Sequence, residues 1–125
     1  MAKSILQQDE TVCYLCGWRE GERYQAMHWH HIFYGRTNNK NAGLKANSEK
    51  YGLMVRICGY ACHEYGPNAV HKNKEVDRTL KEEAQRAFEK TYAEEFKDCK
   101  FYNGSTLAFK GARAKFRELL GKNYL

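Results

Sequence analysis

The spacing of apolar residues changes period along this chain. Residues 25–34 are rich in aromatic and β-compatible side chains and predict a strand. Leu53, Met54, Val55, Arg56 and Ile57 form a short apolar run that predicts a second strand, ending at Cys58. Between them, residues 35–47 lack periodicity and hold Thr37, Asn38, Asn39, Asn41 and Gly43, a density of turn-formers that predicts a loop. From Asn73 onward the period becomes helical: Val76, Leu80, Ala84, Ala87, Phe88, Tyr92 and Phe96 recur at spacings of three and four. Asn73 is a natural N-cap, with Glu75 and Asp77 in the first turn, where the helix dipole favours anions. A further helix is expected over 105–120, stopping at Gly121, with Ala108, Phe109, Ala112, Phe116 and Leu119 on one face.

Composition places these elements in a soluble globular protein. The chain has 125 residues, 42% hydrophobic and 29% charged, which suits one domain with a modest core. The expected organisation is a single domain over 1–125, with a core over 13–90 and a helical, basic extension over 91–125. No apolar run approaches the ~20 residues of a membrane span. Residues 1–8 show no secretory apolar region, so a cytoplasmic location is expected.

Charge sharpens the picture. Lysine and arginine number 21 against 15 acids, a formal charge of +6, which favours a polyanionic partner. The excess is uneven. Residues 100–125 carry six basic groups and one acid, whereas residues 72–99 carry seven and eight. Arg36, Lys40, Lys45, Lys50 and Arg56 face only Glu49 in their stretch. Lys110, Arg113 and Arg117 share one side of the expected last helix. Both groups are candidates to follow a phosphate backbone, the alternative being ordinary solvated surface.

The chain's chemistry lies in its cysteines and histidines. Five cysteines without a secretory signal argue for reduced thiols rather than a disulfide framework. Cys13 and Cys16 form one close pair and Cys58 and Cys62 another, bracketing the expected hairpin. Four thiolates in two such pairs suit tetrahedral zinc, the alternative being buried thiols with chance spacing. The fourth ligand is ambiguous because Cys62 and His63 are adjacent. Cys99 reads as a spare core thiol on the long helix. His30 and His31 are tandem on a strand, so their rings point to opposite faces. With His63 and His71 they can supply three imidazole ligands and one free imidazole, a catalytic rather than a structural arrangement. His28 reads as a bystander. Trp29, Phe33 and Tyr34 would fill the hairpin core or pack on a sugar or base.

The run His30-His31-Ile32-Phe33-Tyr34-Gly35, the segment Ser48-Glu49-Lys50-Tyr51-Gly52-Leu53, the stretch from Cys58 to His63 and then His71 resemble an HNH nuclease. The resemblance is to the zinc-braced subtype and, with the closing Gly121-Lys122-Asn123-Tyr124-Leu125, to small HNH-type proteins of phages and prophages. It implies an α+β protein with a ββα-metal core and a zinc knuckle, followed by C-terminal helices. It further implies a bacterial host cytoplasm, DNA as substrate, and a phage or host protein as a second class of partner.

Carried over by position, the resemblance makes His31 the general base and His30, His63 and His71 the ligands of one divalent catalytic metal. Manganese, nickel, zinc or magnesium are the candidates, with magnesium the poorest match to imidazole. Cys13, Cys16, Cys58 and Cys62 take the structural zinc. Asn47 is the candidate for the asparagine that braces the base, while Gly52 occupies the directly aligned position. His71 follows later than the usual last ligand, across a segment containing Gly66 and Pro67. Residues 99–112 stand as an insertion relative to the narrower group. The expected activity is DNA endonuclease, nicking or weakly sequence-specific. A catalytically weak scaffold that binds nucleic acid or protein, in recombination or evasion of host defence, is the alternative.

Overall fold

In the computed structural model, residues 3–22, 26–35 and 43–125 are described, and among them lie two two-stranded antiparallel sheets and three α-helices. The first sheet pairs β1, Met27–His31, with β2, Met54–Cys58, in a register that sets His30 opposite Val55 and His31 opposite Met54. The strand pair expected at 25–34 and 53–57 is therefore present, shifted slightly in its bounds. The cysteine knuckle lies against it: Cys13 N donates to Trp18 O at 2.8 Å, Gly17 N to Cys13 O at 2.9 Å and Tyr14 N to Arg56 O at 3.1 Å.

The stretch read as a loop over 35–47 is in part a helix. Helix α1 spans Leu44–Tyr51, while residues 36–42 lie outside the described part. Between its ends, Leu44 and Tyr51, which pack on the core, only Ala46 is apolar, too sparse a pattern to advertise amphipathicity, and a polar anchor adds to its hold. Buried Ser48 donates through Oγ to Phe33 O at 2.8 Å and accepts from Phe33 N at 3.2 Å. Gly52 ends the helix at φ 72°, and a Cβ there would run into the Lys3 carbonyl. Only glycine meets both demands.

After β2 the chain makes a π-helical turn over Gly59–Glu64, closed by Tyr65 N donating to Tyr60 O at 2.9 Å. It then doubles back. Gly66 lies so close to the Ala61 carbonyl that no side chain fits there. Val70 N reaches Cys62 O at 2.8 Å and His71 N reaches His63 O at 3.3 Å. The segment from His63 to His71 is thus a loop whose ends run side by side.

Helix α2, Lys74–Thr91, begins as expected, with Asn73 Oδ1 accepting from Glu75 N at 3.0 Å and Val76 N at 3.3 Å. It buries Leu80, Ala84 and Phe88. The expected helical face extends past its end: Tyr92 caps α2 and Phe96 sits in the turns beyond, its ring stacked 5.9 Å from Phe88. Cys99 follows these turns and is not on the helix.

The helix expected over 105–120 is corrected. Strands β3, Lys100–Asn103, and β4, Thr106–Lys110, pair as a hairpin, and only Ala112–Leu120 is helical, as α3. Gly104 and Ser105 make the two-residue turn, with Gly104 at φ 68°, the left-handed conformation that such a hairpin favours at its first central position. The C-terminal part is therefore a hairpin and one helix after α2 rather than helices throughout.

These elements share one apolar core that includes Ile32, Phe33, Leu53, Val55, Ile57, Leu80, Phe88 and Phe116. The C-terminal tail closes over it, with Tyr124 N donating to Gln85 Oε1 at 2.7 Å. No helix among the described residues is long and apolar enough to cross a membrane.

Candidate metal centres

Strand β2 delivers Cys58 from its end, and the knuckle delivers Cys13 and Cys16. The π-helical turn adds Cys62, and its geometry resolves the adjacency of Cys62 and His63: the thiol turns to the cysteines and the imidazole to the histidines. One Sγ from each of Cys13, Cys16, Cys58 and Cys62 lies within 4.8 Å of the others. Cys16 and Cys58 Sγ are 3.6 Å apart. Cys13 Sγ accepts from the backbone N–H groups of Cys16 and Cys58, both at 3.4 Å.

Those hydrogen bonds set the electrostatics. Burial opposes ionisation of Cys13, but the N–H groups of Cys16, Cys58 and Leu15 outweigh it and bring the thiol down to about 7. Burial and the neighbouring thiols push Cys58 up to about 12, and Cys62 is raised by burial and by Cys13. Four crowded thiols cannot all ionise alone. A cation among them reverses that penalty, and four sulfur ligands suit a metal ion such as zinc.

The second cluster forms where the loop returns to β1. His30, His63 and His71 each place a ring nitrogen within 4.8 Å of the others. Ring centroids are 5.2 Å apart for His30 and His63, 5.1 Å for His30 and His71, and 4.7 Å for His63 and His71. His30 is 2% exposed, and its buried Nε2 has no hydrogen-bond partner among the described residues. Burial, then the nearby His63 and His71, push its pKa down to about 3, so it is neutral at physiological pH. His63 is lowered too, by burial first and then by His71 and His28. An orphaned, buried imidazole nitrogen facing two further imidazoles is the donor set a transition-metal ion takes.

His31 is the last residue of β1. Its Nε2 is 2.8 Å from Glu49 Oε1 on α1, and the hydrogen bond to His31 holds the Glu49 carboxyl below the usual carboxylate range. Asn47 stands elsewhere: its Nδ2 donates to Leu119 O at 2.9 Å, tying α1 to α3. The position of Gly52, closed to any side chain by Lys3, has no room for an asparagine.

His28 joins the histidines from β1, one strand period before His30. Its Nδ1 is 3.0 Å from Nδ1 of His63, and its ring occupies the space a Cβ on Gly59 would need. His63 is therefore flanked by His28 at Nδ1 and by His71 at Nε2, 3.0 Å away. Sequence reasoning missed His28 and Glu49 as members of these sites. The alternation of β1 places 28 beside 30, and Glu49 stood out as the lone acid in a basic stretch.

Among the basic candidates, Arg36 and Lys40 lie outside the described residues. Arg56 is held by Glu20 at 2.8 Å, and Arg113 by Glu89 at 3.0 Å. Arg117 lies over the Phe101 ring, 4.7 Å from its centroid. Lys45 and Lys50 are exposed on α1, the latter 5.5 Å from the Tyr51 ring, and Lys110 is exposed on β4. Phe33 fills the core, while Tyr34, 43% exposed, stands beside His30 and His71. No family model, curated protein or solved structure matches the chain.

Proposed function

We propose that the protein is a metal-dependent DNA endonuclease of the HNH type, with His31 as general base. The supporting observation is that adjacent residues of β1 face two chemically distinct settings. His30 offers an orphaned, neutral nitrogen to His63 and His71, and His31 meets a carboxylate at 2.8 Å. That is the division of labour a ββα-metal site requires.

His30, His63 and His71 would hold the divalent ion, which when bound supplies Lewis-acid stabilisation of the phosphate and of the leaving 3′ oxygen. His31 Nε2–H donates a hydrogen bond to Glu49, which leaves the Nδ1 lone pair free to take a proton from the attacking water. The carboxylate then stabilises the imidazolium that forms. Glu49 thus performs the bracing expected of an asparagine, and Asn47 is assigned to packing. The products are 5′-phosphate and 3′-hydroxyl ends. Zinc on the four cysteines braces the knuckle against the same hairpin.

The test is relaxation of supercoiled plasmid in manganese by the wild type beside His31→Ala. Nicking by the wild type and its loss in the variant is the expected result. Absence of nicking by the wild type, or equal nicking by both, would count against the base assignment.

A further inference from the structure

A cleft of 570 Å³ opens directly beside His71, between the loop that carries it, the first turns of α2 and the C-terminal tail. The cleft is open to solvent, and its volume falls within the range of ligand clefts. The walls include Tyr34 and Tyr124, and the rim carries Lys72, Lys74 and Lys122. The acid within it, Asp77, pairs through Oδ2 with Lys81 Nζ at 2.8 Å, while its buried Oδ1 has no hydrogen-bond partner among the described residues. Lys81, half-buried, also lies 5.3 Å from the Tyr34 ring and 5.9 Å from that of Tyr124, so one cation touches both tyrosines. Lys72, Lys74 and Lys122 are exposed and form no ion pair with any acid among the described residues. Three ammonium groups without acid partners, Lys122 lying 5.3 Å from the Tyr124 ring centroid, around a tyrosine-walled cleft complement a chain of phosphates with flat groups between them.

We infer that this cleft is the DNA-strand site: the backbone phosphates lie on Lys72, Lys74 and Lys122, and a base or sugar packs on Tyr34 as the strand leaves the three histidines. The inference rests on the nuclease reading for the strand's direction toward His71, yet binding itself needs no cleavage. It moves the expected DNA contacts away from the 36–56 stretch and the Lys110, Arg113 and Arg117 stripe. Lys72 and Lys74 belong to the stretch whose net charge is negative, several of whose acids pair within it: Asp77 with Lys81, Glu82 with Arg78 and Glu94 with Lys97.

The experiment reads binding of a fluorescein-labelled 16-nucleotide single strand by anisotropy, without added divalent ion and across a salt series. Lys72→Gln, Lys74→Gln and Lys122→Gln combined should weaken binding at least about tenfold at low salt. The slope of log affinity against log salt should shrink by about 2, since each phosphate neutralised on a single strand accounts for roughly 0.7. The same three positions as arginine should bind within about threefold of wild type. Lys90→Gln, Lys97→Gln and Lys100→Gln combined remove equal charge elsewhere and should change affinity less than about threefold. Equal weakening by the two glutamine variants, or an unchanged slope in the cleft variant, would overturn the assignment. Loss of binding with intact plasmid nicking would be seen separately, as would the reverse, so each reading fails on its own evidence.

Discussion

Replacing Cys13 by serine tests the bracing role of the sulfur cluster most severely. Cys13 Sγ is buried at 1% exposure and accepts two backbone N–H groups, so it is the thiol best prepared to be an anion. Structural zinc contributes on the order of 10–16 kcal/mol in small zinc-dependent folds. A domain of this kind has about 5–15 kcal/mol of net stability in total. Even a partial loss of metal affinity should therefore cost at least about 4 kcal/mol. With an unfolding entropy near 2.1 cal/mol/K per residue, 125 residues make each kcal/mol worth roughly 4 °C. The expected fall in Tm is about 15 °C or more, read by calorimetry on protein purified with zinc. Metal analysis of the wild type should find about one zinc that survives dialysis, and Cys13→Ser should lose it. Cys99→Ser, outside the cluster, should shift Tm by less than about 4 °C. A wild type without zinc, or a Cys13→Ser variant melting within a few degrees of it, would refute the reasoning.

Three further outcomes follow from the histidine sites. Glu49→Ala should lower the kcat of nicking about tenfold or more with little change in KM, and Glu49→Gln should lower it less, as steady-state rates would show. In metal-free protein His30 has a folded pKa of about 3, below its unfolded value near 6.5. The unfolded chain then binds the extra proton, so stability present above pH 6.5 is lost as pH falls toward 3. This amounts to about 2 kcal/mol between pH 7 and 5, and urea titrations of His30→Asn should lack that component. His28→Phe should weaken manganese binding by calorimetry several-fold, whereas His28→Asn, which keeps a hydrogen-bonding group near His63 Nδ1, should restore most of it.

How much of this was legible depended on whether the signal was local. The cysteine pairs were readable because short ligand spacing survives any loop between them. The long helix was readable because Asn73 caps a run whose apolar period is unbroken through Phe88. The hairpin over 100–110 was not, because Phe109, Ala112 and Phe116 keep helical spacing across Gly111. That glycine sits at φ 70° and breaks the register, and Asn103-Gly104 marked the turn all the same. Helix α1 carried almost no apolar pattern, since its anchor is the hydrogen-bonded Ser48. The pairing of His31 with Glu49 joins a strand to a helix and left only a charge anomaly in the sequence. The lysines without acid partners beside His71 were hidden by the acids of α2, several of whose partners only the folded chain reveals.

The most direct test of the central claim, that His30 and His31 serve separate tasks from one strand, measures manganese affinity and plasmid nicking on the same preparation of wild type and His31→Ala. The account predicts a manganese Kd within about twofold of wild type and a nicking rate lower by about a hundredfold or more, in the range that general acid–base catalysis contributes. Loss of metal binding together with cleavage, or cleavage at the wild-type rate, would contradict it.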